Sequence, residues 1–292
     1  MVSPSRTKLV VAFRGRDISE QIATHGEHIY DELFREADAC LPNCKFFAER
    51  LKGLGCPPER IRVVHSGVFP EQFPFRPPAY DGQGFVRLLT VGRLVEKKGI
   101  EYAIRAVAQL REGGADARFT IVGDGPLRGE LEGLAGDLGV ADVVQFAGQR
   151  RQAEIADLLS KHHVFLAPSV TASDGDQDGP VNVLKEAMLT GLPVVATRHG
   201  GIPELVEEGV SGYVVPERDN EAIAEALARL LAEPERWRAM GEAGRQRVEA
   251  EFDARGITDR LEMIYYCLVG KRVMSAHTPA YRAGGPDFGR DD

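Results

Sequence analysis

Between residues 86 and 215 the chain alternates short apolar runs with segments whose apolar residues recur at helical spacing. A run of four to six Val, Ile, Leu or Phe bounded by turn formers marks a strand buried on both faces. Apolar residues three and four apart mark one face of a helix. On that reading strands cover 86–91, 119–122, 143–146, 164–167, 193–197 and 212–215, and helices cover 100–110, 127–138, 154–159, 183–189 and 202–206. This alternation predicts an α/β fold, with a parallel sheet wrapped by helices on both faces. Three more helices follow at 222–231, 237–252 and 257–268, and 276–292 reads as a disordered tail.

Upstream the same signals give strands at 8–13, 39–42 and 61–65 and helices at 29–37 and 45–54. Asn43 is the expected cap of the second helix, which stops at Gly55 and the Pro57-Pro58 pair. Residues 73–84 gather Pro74, Pro77, Pro78, Gly82 and Gly84, the composition of a linker. The expected organisation is therefore a first domain over 1–78, a second over 79–255, a returning helix over 256–275 and a tail over 276–292. About 75 residues ahead of the linker supply only a few strand–helix units, so the first domain reads as partial.

Composition narrows the class. In 292 residues, 43% hydrophobic and 27% charged content is that of an ordinary water-soluble globular chain. A net charge of −8 argues against nucleic acid as the main partner. Cys40, Cys44, Cys56 and Cys267 have neither metal-ligand spacing nor the density of a disulfide framework, which suits a reducing cytosol. No apolar run reaches about 18 residues, and the polar N-terminus does not read as a signal peptide. A cytoplasmic location is expected.

The densest candidate chemistry is Asp178-Gly-Pro-Val-Asn-Val-Leu-Lys-Glu186, two carboxylates eight positions apart across a Gly-Pro turn and a helix start. A strand, an acidic Gly-rich loop and a helix N-terminus form a phosphate-and-sugar site in open α/β proteins. Eight helical residues rise roughly 12 Å, so the two carboxylates need not meet one atom. They suit hydroxyls at the two ends of an elongated ligand with a diphosphate between. Val91-Gly-Arg-Leu-Val-Glu-Lys-Lys-Gly99 also follows a strand and opens a helix. There Gly92 permits a sharp turn, Arg93 offers a planar fork for phosphate oxygens, and Lys98 offers a compact charge. A solvated basic turn is the competing reading of that loop taken alone.

Other motifs carry less. Val122-Gly-Asp-Gly-Pro126 with Gly129 imitates a dinucleotide fingerprint, but Asp142 precedes the next strand instead of ending it, and a tight strand–helix turn is the default. Asp174-Gly-Asp-Gln-Asp178-Gly179 matches the start of a calcium loop. Its seventh and twelfth positions are Pro180 and Lys185, and a flexible sugar-facing loop fits better. His162 and His163 read as structural, while His65 and His199 stand near strand ends where either role is open. No metal ligand set is expected.

Taken together, the Val91–Gly99 loop, the Val-Gly-Asp-Gly-Pro turn, Asp178-x7-Glu186, Gly191-Leu-Pro-Val-Val-Ala-Thr197 and Gly200-Gly-Ile-Pro-Glu204 resemble the group 1 (family 4) retaining glycosyltransferases. The flavour is that of the colanic-acid and exopolysaccharide enzymes. The resemblance implies a GT-B fold, two Rossmann-like domains facing a cleft, here with the N-terminal one incomplete. It implies transfer of a hexosyl group from a UDP- or GDP-sugar to a glycan or lipid-linked acceptor, with retention and with neither metal nor cofactor. Arg93, Lys98 and Asp178 would be catalytic. Gly92, Arg93, Lys98, Asp178, Gly179, Pro180, Val181, Asn182 and Glu186 would bind the donor, with the two cations on the diphosphate and Glu186 on the ribose. Arg14 and Asp17 would lie on the acceptor side, and the last helix would return to the first domain. Partners would be the donor and the acceptor, with at most a peripheral contact with the inner membrane. Three positions depart from the family pattern: Asp178 replaces the usual Glu, Arg14 the usual His, and Phe69 a common Asp. The alternative implied by the short first domain is a non-catalytic nucleotide-sugar-binding protein.

Overall fold

The computed structural model describes residues 7–80 and 82–270, so the expected tail lies outside the described residues. In the first unit, β1 (Val10–Phe13) and β2 (Ala39–Pro42) pair in parallel, with Val10 opposite Ala39. The expected strand at 61–65 is reduced to a bridge between Ile61 and Cys40, with amide bonds from Arg62 to the Cys40 carbonyl and from Val64 to the Pro42 carbonyl. A parallel ladder needs an amide from the partner strand at that point, and Pro42 has none to give.

Between the two strands the chain makes two short helices, α1 (Glu20–His25) and α2 (Asp31–Glu36). A helix over 29–37 was expected; residues Glu27–Tyr30 instead form a 3-10 turn, and Ala37 is already extended. Gly26, at φ 88°, breaks the helical run, while Ile18 and Ile22 bury one helical spacing apart ahead of it. Helix α3 (Lys45–Gly53) closes the unit over a core that includes Phe13, Phe34, Phe47 and Leu51. Cys40, Cys44 and Cys56 are buried free thiols in this core. Burial pushes the Cys44 and Cys56 thiols up to about 12, so both stay protonated.

The second unit is a six-stranded all-parallel sheet. Its strands are β3 (Val86–Val91), β4 (Ala117–Val122), β5 (Val144–Gly148), β6 (Val164–Ala167), β7 (Val194–Thr197) and β8 (Gly212–Val215). Between them run α4 (Ile100–Glu112), α5 (Arg128–Asp137), α6 (Gln152–Lys161) and α7 (Asn182–Thr190). The expected helix at 202–206 is a single 3-10 turn, Ile202–Glu204, with Pro203 in its first turn. Leu88 faces one core and Leu89 the other, so the sheet is covered on both sides. The strand order is β5-β4-β3-β6-β7-β8: the chain winds outward from β3, then restarts on its other side at β6. A crevice opens where the order reverses, outside the carboxyl ends of β3 and β6.

The C-terminal part adds α8 (Asn220–Ala232), α9 (Trp237–Glu251) and α10 (Ala254–Leu268). Val68 and Phe73, which precede the expected boundary at 78/79, are buried in the core of the second unit. Val68 donates to the Phe252 carbonyl and accepts from the Ala254 amide, so the connection between units is stitched to the α9–α10 junction. Helix α10 buries only Ile257, and Met263, Tyr265 and Tyr266 are exposed.

Candidate active site at the sheet switch point

The loops after β3 and β6 are pressed together by a glycine. Gly99 holds φ at 58°, and a Cβ there would lie 1.9 Å from the Pro168 carbonyl oxygen. Only a residue without a side chain permits that approach in the left-handed region. The 3-10 turn Glu96–Lys98 just before it presents two lysines. Lys98 Nζ donates to Asp178 Oδ2 at 2.6 Å. Lys97 Nζ lies 3.3 Å from Asp178 Oδ1 and 2.8 Å from Asp176 Oδ2.

Burial alone would raise the Asp178 carboxyl, but Lys98 and Lys97 outweigh it and hold the group below the usual carboxylate range. Asp178 is therefore an anion shared by two cations. Its backbone is fixed as well. The Asp178 amide donates to His199 Nε2 at 2.9 Å, so that nitrogen is bare and Nδ1 carries the proton toward Glu217 Oε1 at 2.7 Å. Gly200, at φ 50°, sits so close that a Cβ would lie 1.9 Å from the Asp178 carbonyl oxygen. His199 itself is fully buried.

Gly179 and Pro180 are buried, Gly179 against the Asn43 side chain and Pro180 against Gly201. Val181 stands as the N-cap of α7 with no side-chain cap, and Asn182 begins the helix exposed. The unpaired amides of that first turn face the loop and favour an anion. Glu186 lies one turn into α7, half-buried. Burial pushes its carboxyl up, partly offset by a hydrogen bond from Gln152 and the charge of Lys185. Gly92 backs the aliphatic stem of Lys98. Arg93 is exposed and makes no side-chain hydrogen bond or ion pair among the described residues.

The two units meet across this site. A cavity of about 630 Å³ is lined by Arg14, Asp17 and Gln21 from one side and by Lys97, Gln177 and Asp178 from the other. Gln177 donates its amide to Ser19 Oγ at 3.1 Å, and its side-chain oxygen accepts from Arg50 at 2.7 Å. Asn43 does not cap α3 as the sequence suggested. Its amide donates to the Arg14 carbonyl instead, and Cys44 takes the N-cap position. The cap is replaced from across the cleft by Glu204, whose carboxylate accepts the amides of Lys45 and Phe46.

The weaker motifs resolve into packing. Gly123 fits against the Gly92 carbonyl and Gly125 against Leu94, while Asp142 pairs at the surface with Arg111. In the calcium-like loop, Asp176 and Asp178 are directed at Lys97 and Lys98. His162 and His163 are buried; burial pushes His163 down to about 4, beside the Arg87 guanidinium, as befits structural groups. Sequence reasoning missed Lys97, Glu217 and the capping role of Glu204. Lys97 was hidden as one of two adjacent lysines, and the other two act only through tertiary contacts.

Residues 86–233 match the family described as glycosyl transferases group 1, and the chain belongs to that family. It is 38% identical over 258 residues to a putative colanic acid biosynthesis glycosyltransferase, WcaL, of Salmonella typhimurium, covering 88% of this chain and 63% of the relative. It is 39% identical over 247 residues to the amylovoran biosynthesis glycosyltransferase AmsK of Erwinia amylovora, covering 84% of this chain and 60% of that one. The chain thus spans 60–63% of the length of these two relatives. Among solved structures, Anabaena Alr3699/HepE in complex with UDP superposes with a TM-score of 0.76 at 21% identity, over 90% of this chain and 73% of that one. The fold is the GT-B arrangement of parallel α/β units.

Proposed function

We propose that this chain transfers a hexosyl group from a UDP- or GDP-sugar to a glycan or lipid-linked acceptor in exopolysaccharide synthesis, with retention and without a metal. The observation that carries the reading is the Lys98–Asp178 pair, 2.6 Å apart at the switch point between β3 and β6. The relatives' names, which concern colanic acid and amylovoran, support the pathway, and the UDP complex of a structural neighbour supports the donor class.

In this reading the diphosphate enters over the first turn of α7, and Lys98 and Arg93 turn to its oxygens. Lys97 keeps its bonds to Asp176 and Asp178, so Asp178 stays charged and in place when Lys98 moves. Asp178 then accepts from donor-sugar hydroxyls, with Gly179, Pro180, Val181 and Asn182 around the sugar and phosphate. Glu186 accepts from the ribose. As the bond to the sugar breaks, negative charge grows on the leaving diphosphate, and cations held in place beforehand lower that barrier. Arg14 and Asp17 line the opposite wall, where the acceptor enters. Among the described residues no helix is long and apolar enough to cross a membrane. The reaction is assigned to the cytoplasm, with peripheral membrane contact where the acceptor is lipid-linked.

Calorimetric titration with UDP, GDP and their hexose conjugates tests the donor site, and transfer or hydrolysis of the bound donor tests the reaction. Absence of binding by every nucleotide sinks the reading. A second reading, donor binding without transfer, is favoured by the small first unit, whose sheet among the described residues is two strands and a bridge. Saturable binding with neither transfer nor hydrolysis would select it.

A further inference from the structure

The cavity between the units has an uneven charge pattern. Every carboxylate on its wall is already engaged. Asp17 accepts the amides of Arg14, Gly15 and Ile18, closing the turn after β1. Asp178 is shared by Lys97 and Lys98, and Lys97 is further engaged by Asp176. Arg16, also on the wall, is paired with Glu20.

Arg14 differs. Its guanidinium has no hydrogen bond or ion pair among the described residues, although it lines the cavity. Its backbone is nevertheless fixed on both flanks, the amide by the Asp17 carboxylate at 3.0 Å and the carbonyl by the Asn43 side chain at 3.0 Å. A rigidly based, uncompensated guanidinium faces a sugar-sized cleft in a chain of net charge −8. Two more cations line the cavity, Arg16 beside Arg14 and Lys97 on the opposite side.

Resting on the donor site above, we propose that Arg14 is a specificity residue that receives an oxyanion, a carboxylate or phosphate carried by a sugar in this cleft. The planar fork of arginine matches either group with two parallel hydrogen bonds. Asp17 is saturated by backbone amides and Asp178 is paired with two lysines, so neither carboxylate is available to pair with Arg14 in place of the anion. Two sources fit the same chemistry: a hexuronic sugar on the nucleotide donor, or an acidic sugar at the acceptor end.

The test uses the whole 292-residue chain at low salt. In the donor arm, UDP-glucuronate is titrated against UDP-glucose, and GDP-mannuronate against GDP-mannose. In the acceptor arm, the chain saturated with the nucleotide it binds is titrated with octyl β-glucuronide, octyl β-glucoside and octyl phosphate. One arm is expected to show at least about tenfold tighter binding of the acidic ligand, the value of one charge-assisted pair. Arg14→Gln should abolish that preference while leaving the affinity for the bare nucleotide within about twofold; Arg14→Lys should restore part of it. The responding arm identifies the source. Nucleotide binding with no acidic preference in either arm overturns this inference alone, as does a preference that survives Arg14→Gln. Failure of UDP and GDP to bind the unaltered chain overturns the donor site and this inference together.

Discussion

Glu204 caps the helix that Lys45 begins. Its Oε2 accepts the Lys45 amide at 2.9 Å and its Oε1 the Phe46 amide at 2.9 Å, although 159 residues separate cap and helix. The Gly-Gly-Ile-Pro-Glu turn of one unit thus supplies the N-terminal anion that α3 of the other lacks. Replacing Glu204 by Ala should lower stability by about 1–2 kcal/mol. Thermal melting of Glu204→Ala beside Glu204→Gln checks this, and Gln should recover only part of the loss.

The same cap has a pH signature. Burial favours the neutral acid, but the hydrogen bonds from His65 and from the Lys45 and Phe46 amides outweigh it and hold Glu204 below its ordinary value. A carboxyl whose folded value is depressed stabilises fully above its unfolded value, and loses that contribution as pH falls through the folded one. The difference in melting temperature between the unaltered chain and Glu204→Ala should therefore be largest near neutrality and shrink below about pH 4. A difference that stays constant down to acid pH would contradict the ionised cap.

Lys98→Ala and Glu186→Ala should each weaken nucleotide-sugar binding about tenfold or more, the value of one charge-assisted bond. Lys98→Ala leaves Lys97 on Asp178, so its stability should change little. Titration calorimetry reads the first effect and urea unfolding the second. Unchanged affinity in both variants would remove these residues from the site.

Gly200→Ala places a methyl 1.9 Å from the Asp178 carbonyl oxygen at φ 50°. Gly209→Ala, at φ 72°, meets nothing within 4 Å. The control should lose about 1–2 kcal/mol from the left-handed backbone alone. The Gly200 variant should lose more, together with donor affinity, because Asp178 must shift. Equal losses in the two variants would mean that Gly200 does not position Asp178.

Lys185 is fully buried, with Nζ donating to the Ser66 carbonyl at 2.6 Å and to Asn182 Oδ1 at 3.1 Å. Burial pushes the amine down to about 8. Between that value and the ordinary one of about 10.4, Lys185 binds more protons in the unfolded chain than in the folded one, so its own contribution to stability should rise with pH across this window. The buried Cys44 and Cys56 thiols act in the opposite sense but are common to both chains. The difference in urea midpoint between the unaltered chain and Lys185→Met, followed from about pH 7 to 10.5, should therefore move in favour of the unaltered chain.

The doubly wound unit was legible because several of its strands are buried on both faces and read as short apolar runs. Val164–Ala167, Val194–Thr197 and Gly212–Val215 are buried at every position. The first unit was harder to read. Helices α1 and α2 are six residues long, shorter than the window over which periodicity accumulates, and Pro42 cuts the third strand to a bridge. At the site, Asp178 and Lys98 were readable from their loops and from the family resemblance. Their pairing across 80 residues, the His199–Glu217 support and the Glu204 cap depend on which loops the strand order brings together. Local sequence does not encode that order.

Lys185 also gives the molecule a chemical clock. Its amine is held in the interior by a carbonyl from the segment that links the units, and burial pushes it down to about 8. An acylating reagent reaches it only when the packing over α7 opens, and that opening also restores an ordinary amine pKa. The rate at which Lys185 is labelled then counts how often the linking segment leaves α7, with no reporter group built into the chain.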